Sequence, residues 1–233
     1  MAKPQPIAPE RVEDWIFDLD NTLYPASCNL FRQVDRRIRA YIQGFLGLDE
    51  EQAHGLQRRY FRAHGSSMRG MMLHHGMDPG AFLDYVHDID LSPVPPAPGL
   101  DAALARLPGR KTVYTNGSTA HAGRVLERLG IARHFGAVFD IVEAGYHPKP
   151  QPESYRRLVA RYGIDPARAV LVEDLAQNLE PAAALGMTTV WVAQDSHDLS
   201  ARPDDDTVHH VIQDLAAWLS ELTALLGNPD GAG

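Results

Sequence analysis

Four short stretches of this sequence hold residue types that together are capable of chemistry. In WIFDLDNTLYP, residues 15–25, an apolar run ends in Asp18 and Asp20, two carboxylates with one residue between them. In YTNGS, 114–118, another apolar run ends in Thr115, Asn116 and Gly117. HPKP places Lys149 between two prolines, and Lys3, Lys111 and Lys149 are the only lysines in a chain otherwise supplied with arginine. AVLVED, 169–174, ends in Glu173 and Asp174, with Gln177 and Asn178 following. Carboxylates gathered at one place repel unless they share a positive charge. A hard divalent cation such as Mg²⁺ supplies one, because it prefers oxygen ligands and keeps waters and substrate phosphate in its shell.

Each stretch also has a plain structural reading. A D-x-D pair occurs in surface loops, Lys149 by itself would be a solvated lysine, and Glu173 and Asp174 would serve to cap a helix. Thr115 to Gly117 fits a strand-to-helix turn with Ser118 or Thr119 as the N-cap. The functional reading prevails because all four stretches lie where an apolar run stops or in the loop that follows one.

The elements that must position these residues alternate. A strand over 13–18 precedes a wholly helical stretch, roughly 25–92. There FRQVDRRIRAYIQGF sets Phe31, Val34, Ile38, Tyr41, Ile42 and Phe45 at helical spacing, and Asp78 with Pro79 opens a further short helix. The proline-rich 92–99 returns the chain. Strands are then expected at KTVYT, AVFDIVEA, AVLVED, TTVWVA and VHHVI, with amphipathic helices between the first four and a closing helix in QDLAAWLSELTALL. Short apolar runs separated by amphipathic helices predict a parallel sheet covered on both faces. In such sheets ligands bind at the carboxyl ends of the strands, where all four stretches fall. The expected fold is therefore α/β: a Rossmann-like parallel core over 13–24 and 95–226, a helical cap over 25–94, and flexible tails at 1–12 and 227–233.

Composition narrows the partners. The 233 residues are 44% hydrophobic, enough for a real core, and the formal net charge is −8 with no long basic run. Nucleic acid polymers are thereby disfavoured, and a small-molecule substrate with a local positive site is favoured. No apolar run reaches membrane-spanning length, and the proline-rich start does not read as a signal peptide. A soluble cytoplasmic protein is the expectation. The lone Cys28 forms no intrachain disulfide and reads as a small apolar residue.

Taken in order, DLDNTLYP, TNG, KP and EDLAQN resemble the four motifs of haloacid dehalogenase superfamily phosphatases, and DLDNTLYP followed by a helical cap resembles the pyrimidine 5′-nucleotidase branch. The resemblance implies a Mg²⁺-dependent phosphomonoester hydrolase. In it Asp18 attacks phosphorus, Asp20 serves as acid and base, and Lys149 offsets developing charge. It also implies that Asp18, the backbone carbonyl of Asp20 and Asp174 ligate the metal. Thr115, Asn116 and Gly117, together with Lys149, would hold the phosphate. For such roles the Asp18 carboxyl should be held low and that of Asp20 pushed up. One departure is Asn178, where many members carry an aspartate; Glu173 or Asn178 acting through water would compensate. Specificity is expected from the cap segment MRGMMLHH, with Arg69 and Met72 as substrate contacts and the His74–His75 pair nearby. The substrate expected first is a pyrimidine nucleoside 5′-monophosphate. A small sugar phosphate or phosphoglycolate, handled by a phosphatase or mutase, is the alternative, ahead of a dehalogenase or an inactive binding module.

Overall fold

The computed structural model describes residues 6–193, 206–224 and 226. Strands β1 (Asp14–Phe17), β2 (Arg110–Tyr114), β3 (Ala137–Phe139), β4 (Ala169–Glu173), β5 (Thr188–Val192) and β6 (His210–Ile212) form one parallel sheet in the order β3-β2-β1-β4-β5-β6. Strand β1 lies at its centre, so Trp15, Ile16 and Phe17 are all fully buried. Side chains alternate across the sheet: Trp15 and Phe17 join one apolar cluster, and Ile16 joins the other. Phe17 stands level with Val113 of β2 and Val172 of β4. One residue further on, the three strands therefore deliver Asp18, Tyr114 and Glu173 to one edge.

Helices α1 (Leu30–Leu46), α2 (Glu50–His64), α3 (Ser67–His75) and α4 (Pro79–Val86) follow β1. Each of the last three starts on a side-chain cap: Asp49 in a reciprocal capping box with Gln52, then Ser66, then Asp78 with Pro79 behind it. The four helices enclose an apolar cluster of their own, in which Met68, Met71 and Met77 are buried as expected for insert core. A Cβ on Gly70 would sit 2.3 Å from the Tyr60 ring, so only glycine lets α3 lie this close to α2.

Helices α6 (Thr119–Leu129), α7 (Pro152–Tyr162), α8 (Glu180–Ala184) and α9 (Leu215–Ala224) cover the sheet, together with α5 (Pro98–Arg106), which the sequence reading missed. Helix α5 is short and begins on Pro98 directly after the proline-rich return, yet it buries Leu100, Ala103 and Leu104 at helical spacing. The strand expected over 137–144 stops at Phe139. There the Asp140 carboxylate accepts from the backbone N–H groups of Val142, Glu143 and Thr119, each at 2.9 Å, and turns the chain. Residues 6–12 were expected to be part of a tail, but Ile7 and Val12 pack on the core around a short turn at Pro9–Arg11. The expected tail at 227–233 lies outside the described residues. Among the described residues no helix is long and apolar enough to cross a membrane.

Candidate active site

Asp18 is the first residue past β1, and its N–H still donates to the Val172 carbonyl at 2.9 Å. Its Oδ1 accepts from Lys149 Nζ at 2.6 Å and its Oδ2 from the Thr22 hydroxyl at 3.0 Å. Lys149 is 2% exposed, and its ammonium also donates to Glu173 Oε2 at 2.6 Å and to the Tyr114 carbonyl at 3.0 Å. All three N–H donors are thus used. Burial by itself would lower the lysine pKa, but Asp18 and Glu173 more than offset it and hold the ammonium charged. Glu173 places its second oxygen on the Leu175 N–H at 3.2 Å, so both of its carboxylate oxygens are engaged.

The Asn116 side chain sets the Lys149 loop in place. Its Oδ1 accepts from the Lys149 N–H at 2.8 Å, and its Nδ2 donates to the Lys149 carbonyl at 3.3 Å. Buried Thr115 accepts the Gly117 N–H on Oγ1 at 2.9 Å, and Ser118 caps α6. All the expected residues of the core therefore converge on the cavity described below.

Asp20 is held differently. The Tyr24 hydroxyl donates to its Oδ1 at 2.6 Å, and His121 Nε2 reaches the same oxygen at 3.3 Å. The fully buried His121 ring stacks on His87 at 4.4 Å and 9°, and His87 Nδ1 meets Ser118 Oγ at 3.1 Å. His87 directly follows α4, so this stack joins the helical insert to the core. Sequence reasoning did not find Thr22, Tyr24, His87 or His121. Thr22 and Tyr24 each stand four residues after the acid they bond, a signal present within the motif itself. No local pattern links His87 to His121.

In the cation-free protein the two acids stand in the reverse of the order expected with Mg²⁺ bound. Burial, and then the neighbouring Glu173 charge, push Asp18 up to about 7 against the pull of Lys149. Burial also acts to raise Asp20, but the hydrogen bonds from His121 and Tyr24 and the His121 charge outweigh it and leave this carboxyl below its usual range. The reason is local: Asp18 shares a dry space with other carboxylates, whereas Asp20 has its own donors. Asp174 is raised furthest, to about 10, by burial and by the Glu173 and Asp18 charges.

Ligand oxygens of Asp18, Glu173 and Asp174 lie within 4.8 Å of one another, all buried. Asn178 Oδ1, beside them in the cavity lining, is buried with no partner among the described residues. A hard, all-oxygen donor set with more negative charge than Lys149 neutralises fits a divalent cation of the Mg²⁺ type.

The site opens into a cavity of about 530 Å³ between the strand ends and the helical insert. Asp18, Asp20, Thr115, Asn116, Gly117, Lys149, Glu173 and Asp174 line it on the core side. The insert side differs from expectation. Of the segment Met68–His75 only Met68 reaches the lining; Arg69 and Met72 do not, and Met72 packs partly buried against the insert's own core. His75 bonds the Tyr60 hydroxyl at 2.8 Å, and His74 meets His64 at 3.1 Å. Phe31, Arg58, Phe61 and Arg62 line the cavity instead. His147 bonds Gln151 at 3.1 Å, and Cys28 packs half-buried against the core; neither lines the cavity.

The family model of haloacid dehalogenase-like hydrolases matches residues 16–186. A glyceraldehyde 3-phosphate phosphatase of Methanopyrus kandleri is 32% identical, over 82% of this chain and 88% of its own length. A phosphoglycolate phosphatase of Mesorhizobium japonicum is 28% identical, over 76% of this chain and 81% of its own. Among solved structures, the HAD phosphatase from Thermococcus onnurineus superposes with a TM-score of 0.61 at 18% identity, over 93% of this chain and 98% of the other, a likeness of fold.

Proposed function

Because the chain belongs to the haloacid dehalogenase-like hydrolase family, we propose that it is a Mg²⁺-dependent phosphomonoesterase acting through an aspartyl phosphate on Asp18. The observation that carries this reading is the pair of carboxylates held in two different ways at one cavity. Asp18 is set against Lys149, and Asp20, two residues on, is held by Tyr24 and His121. A double displacement needs both, one as nucleophile and one as proton carrier.

Asp18, Asp174 and the Asp20 backbone carbonyl would hold the cation, with Asn178 as a further oxygen partner through water. Bound there, Mg²⁺ would supply the positive charge that keeps Asp18 and Asp174 ionised and neutralises phosphate. Asp18, oriented by Lys149 and Thr22, attacks phosphorus as the ester bond to the alcohol breaks. Lys149, charged and already aimed at Asp18, meets the negative charge of the phosphoryl oxygens. Thr115 and the backbone N–H of Asn116 hold those oxygens. Asp20 gives the departing alkoxide its proton, then takes one from the water that attacks the aspartyl phosphate. Since Asp20 rests ionised, the proton it passes on arrives with the substrate, as the monoanion of the monoester. The insert α1–α4, within 25–94, acts as the cap over a core of 13–24 and 95–226, and excludes water during transfer.

The relatives named for glyceraldehyde 3-phosphate and phosphoglycolate support a small phosphorylated metabolite as substrate. The pyrimidine-nucleotide expectation finds no such support, and the alternative takes its place. Asp20 argues against carbon–halogen hydrolysis, which needs no acid at that position. The test is release of inorganic phosphate from phosphoglycolate and p-nitrophenyl phosphate. Turnover should need Mg²⁺, stop with EDTA and vanish in Asp18→Asn. Turnover that survives both treatments would refute the reading, and a folded wild-type protein without turnover would favour a binding module.

A further inference from the structure

We propose that Arg58 and Arg62 bind a second anionic group of the substrate, so that the alcohol released carries a carboxylate or a second phosphate besides its reacting ester. This rests on the phosphomonoesterase reading and names the class of ester. Both arginines lie on α2 four residues apart, on one helix face, and both line the cavity from the insert side. Among the described residues neither guanidinium group has an ion pair or a hydrogen bond. Two other arginines of the insert are engaged in ion pairs: Arg37 with Asp88 at 3.2 Å, and Arg39 with Asp35 at 3.2 Å and Glu50 at 3.3 Å. Asp35, the carboxylate on the insert side of the cavity, is taken by Arg39 and, at 2.6 Å, by Gln57. Two like charges at this spacing destabilise a helix, and an anion held between them removes that cost.

The surroundings favour such a contact. Val34, Ile38, Phe61 and Leu83 share the lining with the two guanidinium groups, and apolar walls strengthen a charge pair relative to water. Phe31 and Phe61 are large, yet 43% and 44% exposed, which suits walls that a ligand's carbon body covers. Lys149 and the cation are committed to the phosphoryl group on the core side. Among the described residues that line the cavity, a second anion therefore finds arginine only on α2, and a substrate with a neutral polyol body would leave both arginines unused.

Matched ester pairs test this with Mg²⁺ present: benzyl against 4-carboxybenzyl phosphate, and butyl phosphate against butane-1,4-diol bisphosphate. The first pair reads a carboxylate and the second a phosphate. Wild-type kcat/KM should favour the doubly functional member of at least one pair by about tenfold, the low end expected for a charge-assisted contact at an open site. The Arg58→Met/Arg62→Met protein keeps the apolar stems and should lose that preference, with the ratio falling toward one through KM. Arg58→Lys/Arg62→Lys should retain part of it, and thermal melts establish that each variant is folded. A wild-type ratio near one in both pairs overturns the proposal, as does a ratio unchanged in the methionine variant. If wild-type protein hydrolyses none of the four esters and no p-nitrophenyl phosphate, the phosphomonoesterase reading itself falls, and the proposal with it.

Discussion

In Lys149→Met the ammonium is removed and the apolar stem kept, which isolates the charge. Asp18 Oδ1 and Glu173 Oε2, each 2.6 Å from Nζ, would lose their cationic partner in a space where they are 6% and 1% exposed. Breaking a buried ion pair from one side costs about 3–5 kcal/mol, chiefly through the charge left behind. For a chain of this length each kcal/mol moves Tm by about 2–4 °C, so the drop should be roughly 6–20 °C. The stranded carboxylates can relieve the strain by taking up protons, and the deficit should therefore be smaller at pH 5 than at pH 8. Differential scanning calorimetry in EDTA at both pH values measures it. Adding Glu173→Gln removes one stranded charge and should return a large part of the loss, giving a strong coupling in the double-mutant cycle. A Lys149→Met protein that melts within 2 °C of wild type at pH 8 would refute the claim that Lys149 holds this cluster together.

Asp20→Asn keeps the backbone carbonyl but not the proton carrier, so turnover should fall by about 10²–10⁴-fold on alkyl phosphates and much less on p-nitrophenyl phosphate; equal losses would remove Asp20 from that role. His121→Phe preserves the stack on His87 while deleting the donor to Asp20, and should show the same leaving-group dependence at about 10–10²-fold, with His121→Gln recovering part. In the cation-free protein Asp18 and Asp174 sit above the carboxylate range, so the fold holds protons that the unfolded chain would release. That contribution is complete below about pH 4 and is lost as pH rises through about 7 for Asp18 and on toward 10 for Asp174. Tm in EDTA should therefore fall from pH 5 to pH 8, less steeply in Asp174→Asn, and added Mg²⁺ should stabilise more at pH 8; a rise in Tm with pH in EDTA would contradict the assignment.

What could be read from the chain was whatever local pattern determines. Asp18, Thr115 and Glu173 were legible because each stands at or just past the end of an apolar run, and parallel register brings such ends together. Lys149 stood out through scarcity. The insert was legible as helices, because Val34, Ile38 and Ile42 keep the helical period. Which helix face meets the cavity was not. Gly70 admits the Tyr60 ring, α3 settles against α2, and Arg69 and Met72 are left out of the lining while Arg58 and Arg62 enter it. The His87–His121 stack joins residues 34 positions apart and has no sequence signature. The order of the Asp18 and Asp20 acidities depends on how many carboxylates share one dry space, which only the packed structure reveals. Strand β3 ended early because Asp140 spends its carboxylate on three backbone N–H groups instead of continuing the ladder.

On the proposed reading, Asp18 carries the phosphoryl group between the two displacements. Wild-type protein mixed with Mg²⁺ and excess substrate, quenched in acid within milliseconds and reduced with borohydride, converts an aspartyl phosphate to homoserine, which peptide mass spectrometry locates. Homoserine is expected at position 18 and at neither position 20 nor 174, with no signal when substrate is omitted. Steady turnover with no reduction at position 18, or with homoserine at another acid, would contradict that reading.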